Sequence, residues 1–255
     1  MTHAPVEAAK NTKNVVVNSE PFAVPGFLVS AVASGMRYKD RTDLALTVVE
    51  GEAGAVAAGV FTSNRYCAAP VELCREHLKS SRAKAILINA GIANACTGDE
   101  GLKRARASAR AVGEALHVPP EEVLVASTGT IGPQILLDPV YKSMPDLVKA
   151  LRPDGWNALA RAIMTTDTVP KMASARVEIG GRTVTIGGVS KGAGMIAPNM
   201  ATLLSFVCTD AAVEPDVLSH WVSRGADHSF NSITADGVTS TNDTLLVLVG
   251  GAAGH

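Results

Sequence analysis

Four short segments hold most of the residues that can do chemistry: NAGIANACTGDEG (89–101), ASTGTIG (126–132), MTTDTVPK (164–171) and KGAGMIAPNMAT (191–202). Each stands at the end of a predicted strand or helix. All are rich in Thr, Ser, Asn and Gly and poor in charge. A single segment of this kind reads as an ordinary turn, in which Gly supplies positive φ and Thr, Asn or Asp bond exposed amides. Four of them together suggest a site built on backbone amides and hydroxyls. The last ends on Thr202, where a Gly- and Pro-punctuated loop meets LLSFVC, a predicted buried strand.

Other chemistries are poorly supplied. Gly192, Gly194 and Ala197, with Asp210 further on, match a dinucleotide fingerprint in name. That site needs a helix to begin at the glycines, so that its first amides face a pyrophosphate. Pro198 interrupts any such helix, and strand follows. Lys191 precedes its glycines, the reverse of a phosphate loop. The six histidines (His3, His77, His117, His220, His228, His255) give no metal-ligand spacing. No G-x-S-x-G elbow supports a hydrolase triad. Cys67, Cys74, Cys96 and Cys208 form no CxxC pair and read as free thiols of a reducing cytoplasm.

The elements that must position these segments follow from composition and pattern. The chain has 255 residues, 47% of them hydrophobic and 18% charged, with a net charge of -1. That composition excludes a disordered chain and argues against a large nucleic-acid surface. No run is long and apolar enough to span a membrane, and the N-terminal stretch lacks the apolar core of a signal peptide. FLVSAVASG reads as a first strand. TDLALTVVEG (42–51) and AVAAGVFTS (55–63) read as two strands around a Glu-Ala-Gly turn. AKAILINAG (83–91), EVLVAS (122–127) and TLLVLVG (244–250) are further strands, and 175–189 is a hairpin turning at Gly180-Gly181. Leu102, Ala105, Ala109, Val112 and Leu116 form a helical stripe. Lys103, Arg104, Arg106 and Arg110 lie off it and read as a solvated face rather than an anion site. Segments 138–151, 154–164 and 214–230 read as helices, so helices and strands mix in α/β or α+β layers.

At the polar segments the chain resembles the ornithine acetyltransferase (glutamate N-acetyltransferase) family of arginine biosynthesis. The resemblance is carried by NAGIANACTG, STGTIG, TTDTVPK, KGAGMIAPNMATLL and SFNSITADGVTSTNDT, which occur in the expected order over residues 89–244. It implies an α/β fold of layered sheets flanked by helices, made as a self-processing precursor of the N-terminal-nucleophile type. It implies cleavage between Ala201 and Thr202, so that residues 1–201 form an α segment and 202–255 the start of a β segment. Thr202 is then the nucleophile. Thr128 and Gly129 match the oxyanion-hole pair, and Thr168 and Lys191 match substrate-binding positions, with Thr202 itself a third.

The implied chemistry is coherent. A Thr hydroxyl needs a base, and inside a chain Thr202 has none beside it. Cleavage would give it its own α-amine, with a pKa of about 7.7–8.0, close to working pH. Thr202 would then take the acetyl group from N-acetyl-L-ornithine, release ornithine and pass the group to glutamate. No cofactor is implied, with acetyl-CoA an alternative donor. The implied partners are the α and β chains of the same precursor in a heterotetramer, with neither nucleic acid nor membrane. Two features depart from the family pattern. Thr130 stands where an apolar residue is expected, and the family's remaining substrate-binding residues are expected beyond His255, so the chain reads as truncated. Two rival readings are a self-processing amidohydrolase or aminopeptidase using Thr202, and a non-catalytic remnant.

Overall fold

The computed structural model describes residues 15–18, 23–195 and 203–254. Two sheets organise it. The larger has seven strands, in the order β1 (Val15–Asn18), β8 (Lys171–Ile179), β9 (Arg182–Lys191), β10 (Leu204–Thr209), β11 (Thr244–Val249), β4 (Ala55–Phe61) and β5 (Arg82–Ala83). The smaller has four, in the order β2 (Phe27–Val32), β3 (Leu44–Val49), β6 (Ala85–Asn89) and β7 (Val123–Ser127). Pairing is antiparallel except for β10 with β11 and β6 with β7, which are parallel.

The period-2 alternation of strand side chains decides which layer each residue enters. In β10 and β11, Leu204, Phe206, Cys208, Leu246 and Leu248 join the main core, shared with Phe27, Leu46, Ile86 and Ile88 of the smaller sheet. Leu245, Val247 and Val249 point the other way. There they meet Leu218, Val222 and Ala226 of α5 (Pro215–Asp227). The β6 sequence AILIN is buried throughout, as expected of a strand covered on both faces. Helices α1 (Ala69–His77) and α2 (Gly98–Leu116) contact β7, and α4 (Trp156–Ala162) touches both β2 and β9. A fifth helix, α3 (Leu137–Lys149), packs beside α2. This is the α/β arrangement of layered sheets flanked by helices that the sequence led us to expect.

Two local readings change. The strands at 44–49 and 55–61 do not pair with each other: β3 lies between β2 and β6, whereas β4 lies between β11 and β5. The turn between them is present, but it carries the chain from one sheet to the other. Helix α1 was not expected from the sequence. It seats Cys74 against β7, where Sγ donates to the Val125 carbonyl at 3.0 Å and burial pushes the thiol up to about 12. The basic stripe of α2 is a solvated face with local partners: Arg104 pairs with Glu100 at 2.9 Å, and Arg106 with Glu76 at 2.6 Å. Among the described residues no helix is long and apolar enough to cross a membrane.

Candidate active site

Strand register brings the polar segments together. Lys191, the last residue of β9, faces Leu204, the first of β10, which in turn faces Thr244, the first of β11. In the smaller sheet Asn89 and Ser127 are paired at the ends of β6 and β7. The turns after these strands meet over one cavity of about 520 Å³, whose wall includes Thr128, Gly129, Thr165, Thr166 and Lys191.

The turn after β6 is closed by Asn89. Its Oδ1 accepts the amides of Gly91 at 2.9 Å and Ile92 at 3.2 Å, and its Nδ2 donates to the Ile92 carbonyl at 2.7 Å. The turn after β7 is laced to it. The Thr128 amide donates to Asn89 O at 2.9 Å, the Thr130 amide to Gly91 O at 3.2 Å, and the Ala93 amide to Thr130 O at 2.9 Å. Gly129 sits between, at φ +125°, and a Cβ there would lie 2.3 Å from Gly91 O. Only glycine fits. The Thr128 and Thr130 amides are both engaged, while the Gly129 amide has no acceptor among the described residues.

Lys191 is buried, and its Nζ donates to Thr128 Oγ1 at 3.1 Å. An ammonium cannot accept, so the Thr128 hydroxyl proton remains available to another acceptor. Burial pushes the Lys191 ammonium below the ordinary lysine value. Asp167 and Asp243 oppose that shift, and Lys171 and Arg41 add to it. Asp167 fixes the backbone beside Lys191: its Oδ1 accepts the Gly192 amide at 2.8 Å and Lys171 Nζ at 2.6 Å, and its Oδ2 accepts the Thr165 amide at 3.3 Å. Burial alone would raise the Asp167 carboxyl. The hydrogen bonds from Lys171, Gly192 and Thr165 outweigh it and hold the group below the ordinary carboxylate range.

Two residues that sequence reasoning did not single out complete the frame. Asn242 Nδ2 donates to Ala93 O at 2.6 Å and to Ser127 O at 2.8 Å, tying both turns to the start of β11. Asp243 is fully buried, and its Oδ1 accepts the Leu203 amide at 2.8 Å. Their signal was present in SFNSITADGVTSTNDT, as polar residues just before the strand TLLVLV.

Thr128, Gly129 and Lys191 therefore meet at one cavity. Thr168 is exposed and stands off its wall, which takes Thr165 and Thr166 from the same segment. Ala201 and Thr202 lie outside the described residues. The dinucleotide pattern begins no helix over 192–195: Lys191 ends a strand, and Asp210 is spent on the Thr185 amide at 2.7 Å. Ala197 lies outside the described residues.

A profile of the ArgJ family matches residues 28–255. This chain belongs to the ArgJ family. Among curated ArgJ relatives, the arginine biosynthesis bifunctional protein of Nitratidesulfovibrio vulgaris is 49% identical over 230 residues, covering 90% of this chain and 58% of that protein. The ArgJ protein of Thermosynechococcus vestitus is 47% identical over 230 residues, covering 90% of this chain and 54% of its own length. The chain thus spans little more than half the length of these ArgJ relatives. Two solved ArgJ-type structures share the fold. The ArgJ protein of Bacillus halodurans aligns with a TM-score of 0.66 and 35% identity, over 74% of this chain and 98% of that one. An ornithine acetyltransferase of Mycobacterium tuberculosis, solved in complex with ornithine, aligns with a TM-score of 0.67 and 35% identity, over 74% of this chain and all of that one.

Proposed function

We propose that this chain carries the acyl-transfer centre of a glutamate N-acetyltransferase that moves acetyl from N-acetyl-L-ornithine to L-glutamate through an acetyl-Thr202 intermediate. The observation that carries the reading is the donor pair at the cavity. The Thr128 hydroxyl has its oxygen occupied by Lys191 Nζ at 3.1 Å and its proton still to give, and beside it is the uncommitted Gly129 amide. Two such donors suit an oxyanion that forms only in the transition state.

Processing comes first in this reading. Thr202 Oγ attacks the Ala201 carbonyl, the amide becomes an ester by an N→O shift, and water hydrolyses the ester. The new α-amine of Thr202 then serves as the base. In the first half-reaction it takes the hydroxyl proton as Oγ attacks the acetyl carbonyl. It returns that proton to the departing ornithine amine. In the second, the glutamate amine attacks acetyl-Thr202, and Thr202 Oγ leaves with a proton. The tetrahedral oxyanion of each step is assigned to Thr128 and Gly129. Lys191 is assigned to hold Thr128 in place and to present positive charge to a substrate carboxylate. Thr168 is retained as a substrate contact, although the exposed position of its side chain favours Thr165 or Thr166 in that part. The cleaved segments 1–201 and 202 onward are read as the paired α and β chains of a cytoplasmic heterotetramer. The cycle needs no cofactor, and acetyl-CoA could acylate the same hydroxyl.

The test is an intact-mass measurement of the full-length protein with and without N-acetylornithine. The expected result is a new chain beginning at Thr202 that gains the mass of one acetyl group on exposure to the donor. A protein that remains uncut, or is cut without gaining acetyl, would overturn the reading.

A further inference from the structure

The wall of the cavity that Lys191 lines also carries a group that the proposed chemistry does not use. Residues 34–43 form a loop pinned by the buried Asp43. Its Oδ1 accepts the Ser34 amide at 2.7 Å and the Ser34 hydroxyl at 2.8 Å, and its Oδ2 accepts the Met36 amide at 3.1 Å. The loop is further held at its far end, where Arg41 Nη2 donates to the Met164 carbonyl. Arg37, Tyr38 and Arg41 of this loop line the same cavity as Thr128 and Lys191.

Two glycines connect the Arg37 position to the turn at Gly129. A Cβ on Gly91 would lie 3.3 Å from Arg37 Cβ, and a Cβ on Gly129 would lie 2.3 Å from Gly91 O. The Cβ of Arg37 therefore lies close to Gly91, and the Gly91 carbonyl close to Gly129. The guanidinium carbons of Arg37 and Arg41 stand 5.4 Å and 5.5 Å from the centroid of the Tyr38 ring. Stacking of this kind orients a guanidinium; the Arg37 N–H groups have no partner among the described residues, whereas Arg41 spends Nη2 on the Met164 carbonyl.

Along the cavity wall Arg37, Arg41 and Lys191 outnumber the single carboxylate of Asp236. Among the described residues neither Arg37 nor Arg41 makes an ion pair. Arg41 is near enough to Lys191 to oppose its charge. Asp236, the acidic residue on the cavity wall, accepts the amides of Met195 at 2.6 Å and Val238 at 3.2 Å. Two oriented guanidiniums beside a buried ammonium make a site for an anion with more than one negative group, or for two anionic groups at different places.

We infer that Arg37, supported by Arg41, binds the side-chain carboxylate of the acetyl acceptor. This rests on the acetyl-transfer reading above. The donor and acceptor in that reading share an α-carboxylate, which Lys191 can meet. They differ at the side chain: the donor ends in an ammonium, the acceptor in a carboxylate. A planar guanidinium fork matches a carboxylate bidentately and repels an ammonium. Arg37 is thus a specificity-determining residue that favours a dicarboxylic amino acid in the second half-reaction.

The test uses the full-length processed protein, with Arg37→Gln and Arg37→Lys measured beside the wild type. The KM for glutamate and the KM for N-acetylornithine are determined separately, and glutamine is assayed as the neutral isostere. For Arg37→Gln the glutamate KM is expected to rise on the order of tenfold or more. The N-acetylornithine KM should move several-fold less, and the preference for glutamate over glutamine should shrink. Arg37→Lys should restore part of that preference, because charge is kept and the fork is lost. Equal rises in both KM values, or an unaltered glutamate-to-glutamine preference, would overturn the inference while leaving acetyl transfer intact. A wild-type protein that releases no ornithine from N-acetylornithine would overturn both.

Discussion

The carboxylate of Asp243 holds the amide of Leu203 at 2.8 Å, and the next residue along, Thr244, donates its amide to the Leu203 carbonyl at 2.8 Å. Leu203 is therefore gripped at both polar backbone groups, and it directly follows Thr202 in the chain. In the proposed processing the Ala201-Thr202 bond must be presented at a fixed angle, and this grip on Leu203 limits how the chain enters β10. Asp243→Ala is expected to slow the proposed processing by about tenfold or more and to lower stability by about 1–3 kcal/mol, from the orphaned, partly buried Leu203 amide and the lost buried carboxylate. A time course of intact mass, run with urea unfolding of the same samples, checks both. Processing at the wild-type rate in a folded Asp243→Ala protein would remove Asp243 from any role in presenting the bond.

Thr128 offers a cleaner separation of binding from catalysis. Thr128→Val keeps the shape of the side chain and removes the donor. In the mature full-length protein kcat is expected to fall by about 100- to 1000-fold, the usual effect of losing one oxyanion donor, with a much smaller change in KM. Thr128→Ser should recover most of the rate. Steady-state kinetics decide it. A raised KM with kcat preserved would place Thr128 in ground-state binding instead.

Asp167 ties stability to acid. Its carboxyl is held below the ordinary range by Lys171 and by the amides of Gly192 and Thr165, against the cost of burial. The folded state thus binds this proton less readily than the unfolded chain. The stabilisation is complete above the unfolded value of about 4, and it is lost as pH falls through the lower folded value. Asp167→Asn should be less stable than wild type at neutral pH, and the gap should narrow as pH falls below about 4. Urea midpoints across pH 2–7 measure it. A constant gap over that range would show that Asp167 stabilises by shape alone.

Much of the frame was legible because its signals are local. The Gly180-Gly181 turn, at φ +58° and +78°, joins β8 and β9 as its sequence predicts. The polar ends at Thr128, Gly129 and Lys191 stood out because glycine and hydroxyl residues follow apolar runs, and the register of the two sheets brings them together. What could not be read depends on distant partners. The separation of β3 from β4 is decided by β11, which accepts β4 along its edge from far down the chain. Helix α1 is nine residues long with Pro70 as its second residue, so its pattern is too short to stand apart from a loop. The residues 164–168 run through irregular backbone, where no period says which threonine faces a cavity. Asn242 looks like any polar residue before a strand, and its role lies in carbonyls 149 and 115 positions away.

The two stacked glycines give a prediction in which one substitution serves as control for the other. At Gly129 a Cβ would lie 2.3 Å from the Gly91 carbonyl oxygen, and φ is +125°, where L side chains are strained. The obstacle is backbone, held by the Thr130 amide at 3.2 Å, so it cannot step aside without unlacing the two turns. At Gly91 a Cβ would meet Met36 Cγ at 3.0 Å and Arg37 Cβ at 3.3 Å, and φ is not in the positive range. Met36 Cβ at 3.2 Å adds to these, and since no contact is under 3.0 Å a shift of a few tenths of an ångström in the 34–43 loop relieves them. Gly129→Ala is therefore expected to cost about 2 kcal/mol or more, and Gly91→Ala clearly less. The Gly91 variant should also move Arg37, raising the KM for glutamate in the proposed reaction while Thr128 still supports turnover. Urea unfolding of both variants at neutral pH checks the order of stabilities. Equal losses would mean that the turns adjust as a unit and that the close approach at Gly129 does not set the geometry of the site.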